Sequence, residues 1–200
     1  MPKVSDEYRT ARREEILDAA VRCVAREGFH KTTMAHVIAE SGLSAGSVYG
    51  YFKGKRELIK AIATRALSGF AEVLESVAVA PGPVTPAGGL RAVFSKVERM
   101  SAESGGAFPK VVVHAWSEAA RDAEVREVVR TNVDKVQLAW LDVLARAEAD
   151  GTIAPGDRTA SARVLVGLMP GFLVQGLLLD EIDGESYVDG FEALMRPPTG

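Results

Sequence analysis

Apolar side chains recur every three or four positions along most of the chain, which is the spacing of helices with one buried face. The first segment with this pattern ends at Gly28, a residue type that commonly stops a helix. No convincing pair of segments alternates polar and apolar residues as strands do. The pattern therefore predicts an all-α protein. The apolar positions of the first segment are Ile16, Leu17, Ala20, Val21 and Val24.

Two short helices are predicted next, joined by a tight turn. Thr33 and Ser44 stand where each would cap the N-terminus of one of them, and Gly42 supplies the stop between them. In the second helix, Val48 and Phe52 are expected to face the core. Short helices joined by a glycine-containing turn are typical of a helix-turn-helix unit.

One stretch of this unit, Gly42-Leu43-Ser44-Ala45-Gly46, also matches the G-x-S-x-G pattern of a hydrolase nucleophile elbow. An elbow requires a strand before the serine, whereas the residues before Ser44 have helical spacing. The chain has three histidines, and no parallel sheet is predicted that could hold a catalytic triad. We therefore interpret Ser44 as a helix N-cap. The sequence predicts no catalytic residue, no metal site and no cofactor.

Further helices are predicted on both sides of a loop at residues 80–89 that is rich in proline and glycine. Pro170 is expected to kink or break the helix that contains it. The same helix carries an apolar run, residues 164–179, that is shorter than the roughly 20 residues of a membrane span. We interpret this run as a helix buried in a core or in a subunit interface. The predicted helices cover residues 54–78, 90–103, 107–120, 122–149, 158–181 and 184–195.

Composition and charge indicate the class of protein. An apolar fraction of 47% and a charged fraction of 26% are ordinary for a globular protein. The single Cys23 cannot form an internal disulfide and the charged N-terminus has no apolar signal segment, so we expect a soluble cytoplasmic protein without a membrane span. Residues 1–60 carry 11 Lys and Arg against 8 Asp and Glu, whereas the remainder carries 13 against 19. A basic N-terminal end on an acidic body is consistent with nucleic-acid contact by that end.

The helix that Ser44 caps has an outward face suited to DNA. Small side chains let its backbone approach a groove, and two tyrosine hydroxyls can reach phosphates or base edges. Lysine and arginine side chains come directly after this helix in the sequence, and the first amides of the next helix can bind a phosphate. A small helix hidden in a bundle would leave these groups unexplained, so we favour DNA binding. The residues concerned are Ala45, Gly46, Ser47, Tyr49, Gly50, Tyr51, Lys53, Lys55 and Arg56.

The same region resembles the DNA-binding domain of the TetR family of bacterial transcriptional regulators, over about residues 10–62. The resemblance implies a homodimer whose N-terminal, homeodomain-like helix-turn-helix domains enter successive major grooves of double-stranded operator DNA. The residues in register are Thr33, Ile38, Ala39, Gly42, Ser44, Tyr49, Tyr51, Phe52, Lys55 and Leu58.

The resemblance also implies how the DNA is contacted. Among the residues that would face base edges, only Ser47 has a hydrogen-bonding side chain, and Met34 stands where some family members place a base-reading arginine. Sequence discrimination is therefore expected to use backbone approach, thymine-methyl contacts, DNA shape, or a flexible basic arm with Arg9, Arg12 and Arg13. The implied DNA-binding set comprises the phosphate contacts Thr33, Tyr49, Tyr51 and Lys55, the base-facing Ala45, Gly46 and Ser47, and Ser44.

For the rest of the chain the resemblance implies a helical ligand-binding and dimerisation domain, which we assign to residues 55–200, after a DNA-binding domain at 1–54. Dimerisation is expected through the helices at 158–181 and 184–195. The 54–78 helix would transmit ligand binding to the DNA-reading heads.

The expected function is that of a repressor released from its operator by a small, neutral or weakly polar hydrophobic effector. An activator or a regulator without a ligand is the alternative, and a helical enzyme or a carrier of hydrophobic molecules is a competing hypothesis from another class. Large apolar side chains and two polar groups are the candidate effector contacts. They are Phe70, Met100, Phe108, His114, Trp116, Gln137, Met169 and Phe172.

Overall fold

The computed structural model describes residues 6–179 and 182–195, and within those ranges it contains ten helices and no strand. The prediction of an all-α protein is confirmed. The helices are α1 (Asp6–Lys31), α2 (Met34–Ser41), α3 (Ala45–Tyr51), α4 (Lys55–Leu67), α5 (Phe70–Ala78), α6 (Pro86–Glu103), α7 (Ala107–Ala119), α8 (Ala123–Ala149), α9 (Arg158–Leu178) and α10 (Gly184–Met195).

The chain divides into two compact units. The first unit contains residues 6–66 and 110–129, and the second contains the other described residues. The helices α4, α7 and α8 each contribute residues to both units. The functional boundary between residues 54 and 55 stays a prediction.

The core of the first unit is built mainly on α1. Ile16 and Leu17 are almost completely buried, and Val37 of α2 and Val48 of α3 are completely so. The stop predicted at Gly28 is a kink inside α1 instead, since Gly28 has φ 75° and the helix continues to Lys31. Burying one apolar face of each short helix is what holds them together, because helices of this length are marginal on their own.

The core of the second unit contains a cluster of three rings from three helices. Phe94 of α6 lies 4.6 Å from Phe172 of α9, and Tyr187 of α10 meets both rings edge-on at 5.5 and 5.4 Å. Elsewhere in this core, a Cβ added at Gly89 would lie 2.6 Å from the Trp140 ring. The bulky indole of Trp140 is therefore accommodated only because α6 has a glycine at that position.

Two predicted boundaries are wrong. The helix predicted over 54–78 is two helices, α4 and α5, because Gly69 between them adopts φ 78° and ends the regular hydrogen bonding. The loop predicted at 80–89 ends at Thr85, whose hydroxyl accepts a hydrogen bond from the Gly88 amide and caps α6. Proline at the first helical position, Pro86, favours a helix start rather than a loop.

Pro170 does not break the helix that contains it, because α9 continues without interruption from Arg158 to Leu178. A proline removes one backbone donor, and the buried Phe172 and Leu173 anchor the turn that follows it. The predicted helix end at 180 and 181 lies outside the described residues.

Candidate DNA-binding surface

Side-chain hydroxyls accept hydrogen bonds from backbone amides at the start of α2 and at the start of α3. The Thr33 hydroxyl accepts from the His36 amide (3.2 Å) at the start of α2, and Gly42 ends that helix with φ 66°. The Ser44 hydroxyl accepts from the Ser47 amide (3.2 Å) at the start of α3. The N-cap interpretation of Ser44 is confirmed, and a helix precedes it where a nucleophile elbow would need a strand.

The α3 helix buries one face and exposes the other. Val48 and Phe52, the residue after α3, are 0% exposed, as predicted. Tyr49 is 44% exposed, and a Cβ at Gly46 or Gly50 would meet no atom within 4 Å. The exposed face therefore offers small residues, open space and a tyrosine hydroxyl, which suits a helix that approaches another surface closely.

Lys55 links the beginning of α4 to the end of α1. Its Nζ atom donates to the His30 carbonyl oxygen at 2.8 Å. Nearby, the Lys53 amide, two residues before α4, donates to the carboxylate of Glu57 in the first turn of that helix (2.7 Å). An ammonium has three donors, so one bond to His30 leaves Lys55 able to contact a phosphate as well.

An ion-pair cluster, formed by Arg56 and Lys60 of α4 with Asp122 and Glu124 at the start of α8, was not foreseen from the sequence. Lys60 Nζ lies 2.7 Å from Glu124 Oε2, and Arg56 Nη1 lies 3.3 Å from Glu124 Oε1. The hydrogen bond from Lys60 lowers the pKa of Glu124, and backbone hydrogen bonds from Val125 and Glu124 lower that of Asp122. Both carboxylates are thus ionised at neutral pH and hold the N-terminal half of α4.

The three arginines predicted to lie in a flexible basic arm are part of a helix. Arg9, Arg12 and Arg13 belong to α1, which begins with two acidic residues, a favourable arrangement at a helix N-terminus. Arg12 pairs with Glu15, and the Arg13 guanidinium lies over the Phe52 ring, 5.1 Å from its centroid. Pairs three or four residues apart stabilise a helix, and this favours helix over a mobile arm.

The predicted effector contacts are divided between the two units. His114 and Trp116 of α7 belong to the first unit, and the His114 ring would lie 3.2 Å from a Cβ at Gly28. The other six lie in the second unit, where Phe70 and Phe108 are 6.4 Å apart. Their part in ligand binding stays a prediction. Those six are Phe70, Met100, Phe108, Gln137, Met169 and Phe172.

The surface of α9 and α10 is unusually apolar. Among the described residues, α9 is a helix long and apolar enough to cross a membrane by length and composition alone, and 22% of its most apolar window is buried. Exposed apolar patches of this kind mark interaction sites. The exposed residues are Val164, Val174, Leu177, Leu178, Leu179, Leu194 and Met195.

A capped helix-turn-helix with an open second helix, followed by a helical second unit, defines a DNA-binding transcriptional regulator. Residues 16–62 match the model of the bacterial regulatory proteins of the tetR family. Residues 87–194, more than half of the chain, match the C-terminal model of BetI-type transcriptional repressors. The chain therefore belongs to the TetR family of bacterial transcriptional regulators.

Individual relatives resemble different lengths of the chain. An uncharacterized HTH-type regulator, YfiR of Bacillus subtilis, is 46% identical over 61 residues, which span 30% of each chain. The repressor KstR2 of Mycolicibacterium smegmatis is 28% identical over 72% of this chain and 69% of its own. The structure of a SmeT–triclosan complex is 28% identical, with a TM-score of 0.71 over 92% of this chain and 91% of that one.

Proposed function

We propose that this regulator is a repressor that binds operator DNA through the exposed face of α3. The observation that carries the proposal is the contrast between the buried Val48 and Phe52 and the open opposite face of the same short helix. Serine and tyrosine hydroxyls on that face suit phosphates and base edges. The names of KstR2 and of SmeT, described as the repressor of a Stenotrophomonas maltophilia efflux pump, support repression over activation.

The repressor is proposed to act as a cytoplasmic homodimer without enzymatic activity. Two copies would cover the apolar surface of α9 and α10, and a two-fold axis would present two copies of α3 to successive major grooves. A membrane-spanning role for α9 is disfavoured because Arg158 and Arg163 lie within it, and charges inside a bilayer are costly.

A small molecule bound in the second unit is proposed to release the operator. Binding that favours one arrangement of the dimer shifts the population away from the DNA-competent one. The SmeT structure, which is a complex with triclosan, supports a ligand-binding role for this part of the fold. A regulator that acts without a ligand is the alternative.

The first test is binding to DNA fragments from upstream of the protein's own coding region, across a salt series. We expect saturable binding to one fragment, a steep loss of affinity with salt, and weaker binding by Tyr49→Phe. Tyr187→Phe, which removes a hydroxyl in the second unit, is the matched control and should bind as the wild type does. Equal, weak binding to every fragment by all three proteins would contradict the proposal.

A further inference from the structure

A cleft of about 560 Å³ opens in the second unit between the end of α6, the turn that follows it, the end of α9 and residues 182–183. Its volume lies within the range of small-molecule sites. Most of its wall is apolar or glycine and includes the buried Phe172 and Leu173. The other lining residues are Val97, Glu98, Ser101, Ala102, Gly105, Gly106, Pro109, Gly176, Ile182 and Asp183.

Of the wall residues that the structure describes, the charged ones are two carboxylates, Glu98 and Asp183. Glu98 accepts a hydrogen bond from the Gly184 amide (3.0 Å), and Asp183 accepts one from the Ser186 amide (2.8 Å). The bonds from Ser186 lower the pKa of Asp183, so it is ionised at neutral pH. Among the described residues, no Lys, Arg or His lies within ion-pair distance of either group. A carboxylate accepts several hydrogen bonds, so each retains capacity for a ligand.

The partial charges of the helix ends near the cleft do not cancel the negative charge of the two carboxylates. The negative ends of α6 and α9 lie beside the wall, at Ala102 and Gly176, and the positive ends of α7 and α10 lie at Pro109 and Asp183. Two partial charges of each sign largely offset one another. The two carboxylates therefore remain the charged side chains of the described wall, and their sign favours a cation in the cleft.

We propose that this cleft binds an organic cation whose apolar body contacts Phe172 and Leu173 while its positive charge lies between Glu98 and Asp183. An anionic ligand would be repelled, and a neutral one would displace water from two ionised groups without compensating them. The inference rests on the proposed function in one respect, since the cation would be the effector that releases the operator. It replaces the neutral effector expected from the sequence.

The test uses two probe ions of nearly the same size and shape but opposite charge, tetraphenylphosphonium and tetraphenylborate, titrated into the full-length protein in sodium buffer by calorimetry. We expect the cation to bind about tenfold or more tightly than the anion. Glu98→Gln and Asp183→Asn keep the oxygen that accepts the amide hydrogen bond and remove only the charge. Each should weaken cation binding about twofold to fivefold.

Glu103→Gln is the matched control, because Glu103 is an exposed carboxylate of α6 outside the cleft wall. It should leave cation affinity unchanged. Equal binding of the two ions, no binding of either, or full affinity in both cleft variants would overturn the proposal.

Operator binding is measured on the same samples, so that a failure of the cation site can be distinguished from a failure of the repressor proposal. Cation binding that is lost in the cleft variants upholds the site even if the operator complex persists, in which case only release by an effector is refuted. Cation binding by a protein that ignores operator DNA upholds the site and refutes the repressor. A specific operator complex in a protein that binds neither ion refutes the site alone.

Discussion

The helix pair α2–α3 of the first unit and the pair α9–α10 of the second expose opposite kinds of surface. On α3, the exposed face carries small residues and hydroxyls, and the large apolar residues Val48 and Phe52 are buried. On α9, leucines and valines remain exposed, with Leu178 at 76%. The comparison separates a surface suited to a hydrated, charged partner from one suited to another apolar surface.

The largest effect is expected from removing one buried ring in each unit. Phe52→Ala and Phe172→Ala should each lower the free energy of unfolding by about 3–5 kcal/mol, because a cavity replaces a packed ring. Denaturant unfolding, followed together with operator binding in native buffer, checks this.

The same two variants can break the comparison. If the surfaces have separate tasks, Phe52→Ala should abolish operator binding by loosening α3, and Phe172→Ala should impair dimerisation, measured by sedimentation. Loss of the dimer in Phe52→Ala, with α9 and α10 unchanged, would show that the tasks are not separable in this way.

A smaller effect is expected where a glycine both adopts a positive φ and leaves room for a neighbouring side chain. Gly28→Ala should destabilise the protein by about 1–3 kcal/mol, since φ 75° is unfavourable for alanine and its Cβ would lie 3.2 Å from the His114 ring. Gly82 of the second unit has φ 89° with nothing within 4 Å of a Cβ, so Gly82→Ala should cost the backbone part only. Thermal unfolding of both variants measures the difference. Equal losses of stability in the two variants would mean that the His114 ring moves aside without a measurable energetic cost.

The helix caps sharpen the comparison further, because each pair contains a helix whose N-terminus is capped by a side chain. The Ser44 hydroxyl caps α3, and the Asp157 carboxylate caps α9 by accepting from the Ala160 amide at 3.0 Å. Ser44→Ala and Asp157→Ala should each cost about 1 kcal/mol of stability. Only Ser44→Ala should also weaken operator binding, measured by fluorescence anisotropy. A matching loss of DNA affinity in Asp157→Ala would argue against a DNA role specific to α3.

Local features of the fold could be predicted from the sequence and long-range ones could not. The caps at Thr33 and Ser44 act within three residues, so residue type and spacing are enough to find them. The break at Gly69 was missed because the apolar spacing continues across it. The pairing of Arg56 with Glu124 joins residues 68 positions apart, and a single sequence carries no signal for such a contact.

The same distinction applies to the candidate sites. The exposed face of α3 was predicted because helical spacing alone separates its two sides. The cleft was not, since Glu98 and Asp183 come together only when α6 packs beside residues 182–183. Of the eight predicted effector contacts, Phe172 lines this cleft.

Replacing Glu124 is expected to change stability least, but it should change the affinity for operator DNA. Its carboxylate neutralises Arg56 and Lys60, two cations in the helix that follows the DNA-facing one. In Glu124→Gln these cations become available to phosphates, so operator affinity should rise at low salt. The slope of log affinity against log salt should steepen by about 0.9 for each phosphate gained.

The ion pair also gives this contact a pH dependence. Because pairing lowers the pKa of Glu124 in the folded protein, the pair is intact at neutral pH and its contribution is lost as the pH falls through that lowered value. The control is Glu75→Gln, which removes an exposed carboxylate of α5 in the second unit and should change neither the salt slope nor its dependence on pH. An unchanged slope in Glu124→Gln would mean that Arg56 and Lys60 serve only to hold α4, with Asp122 sufficient to keep them from DNA.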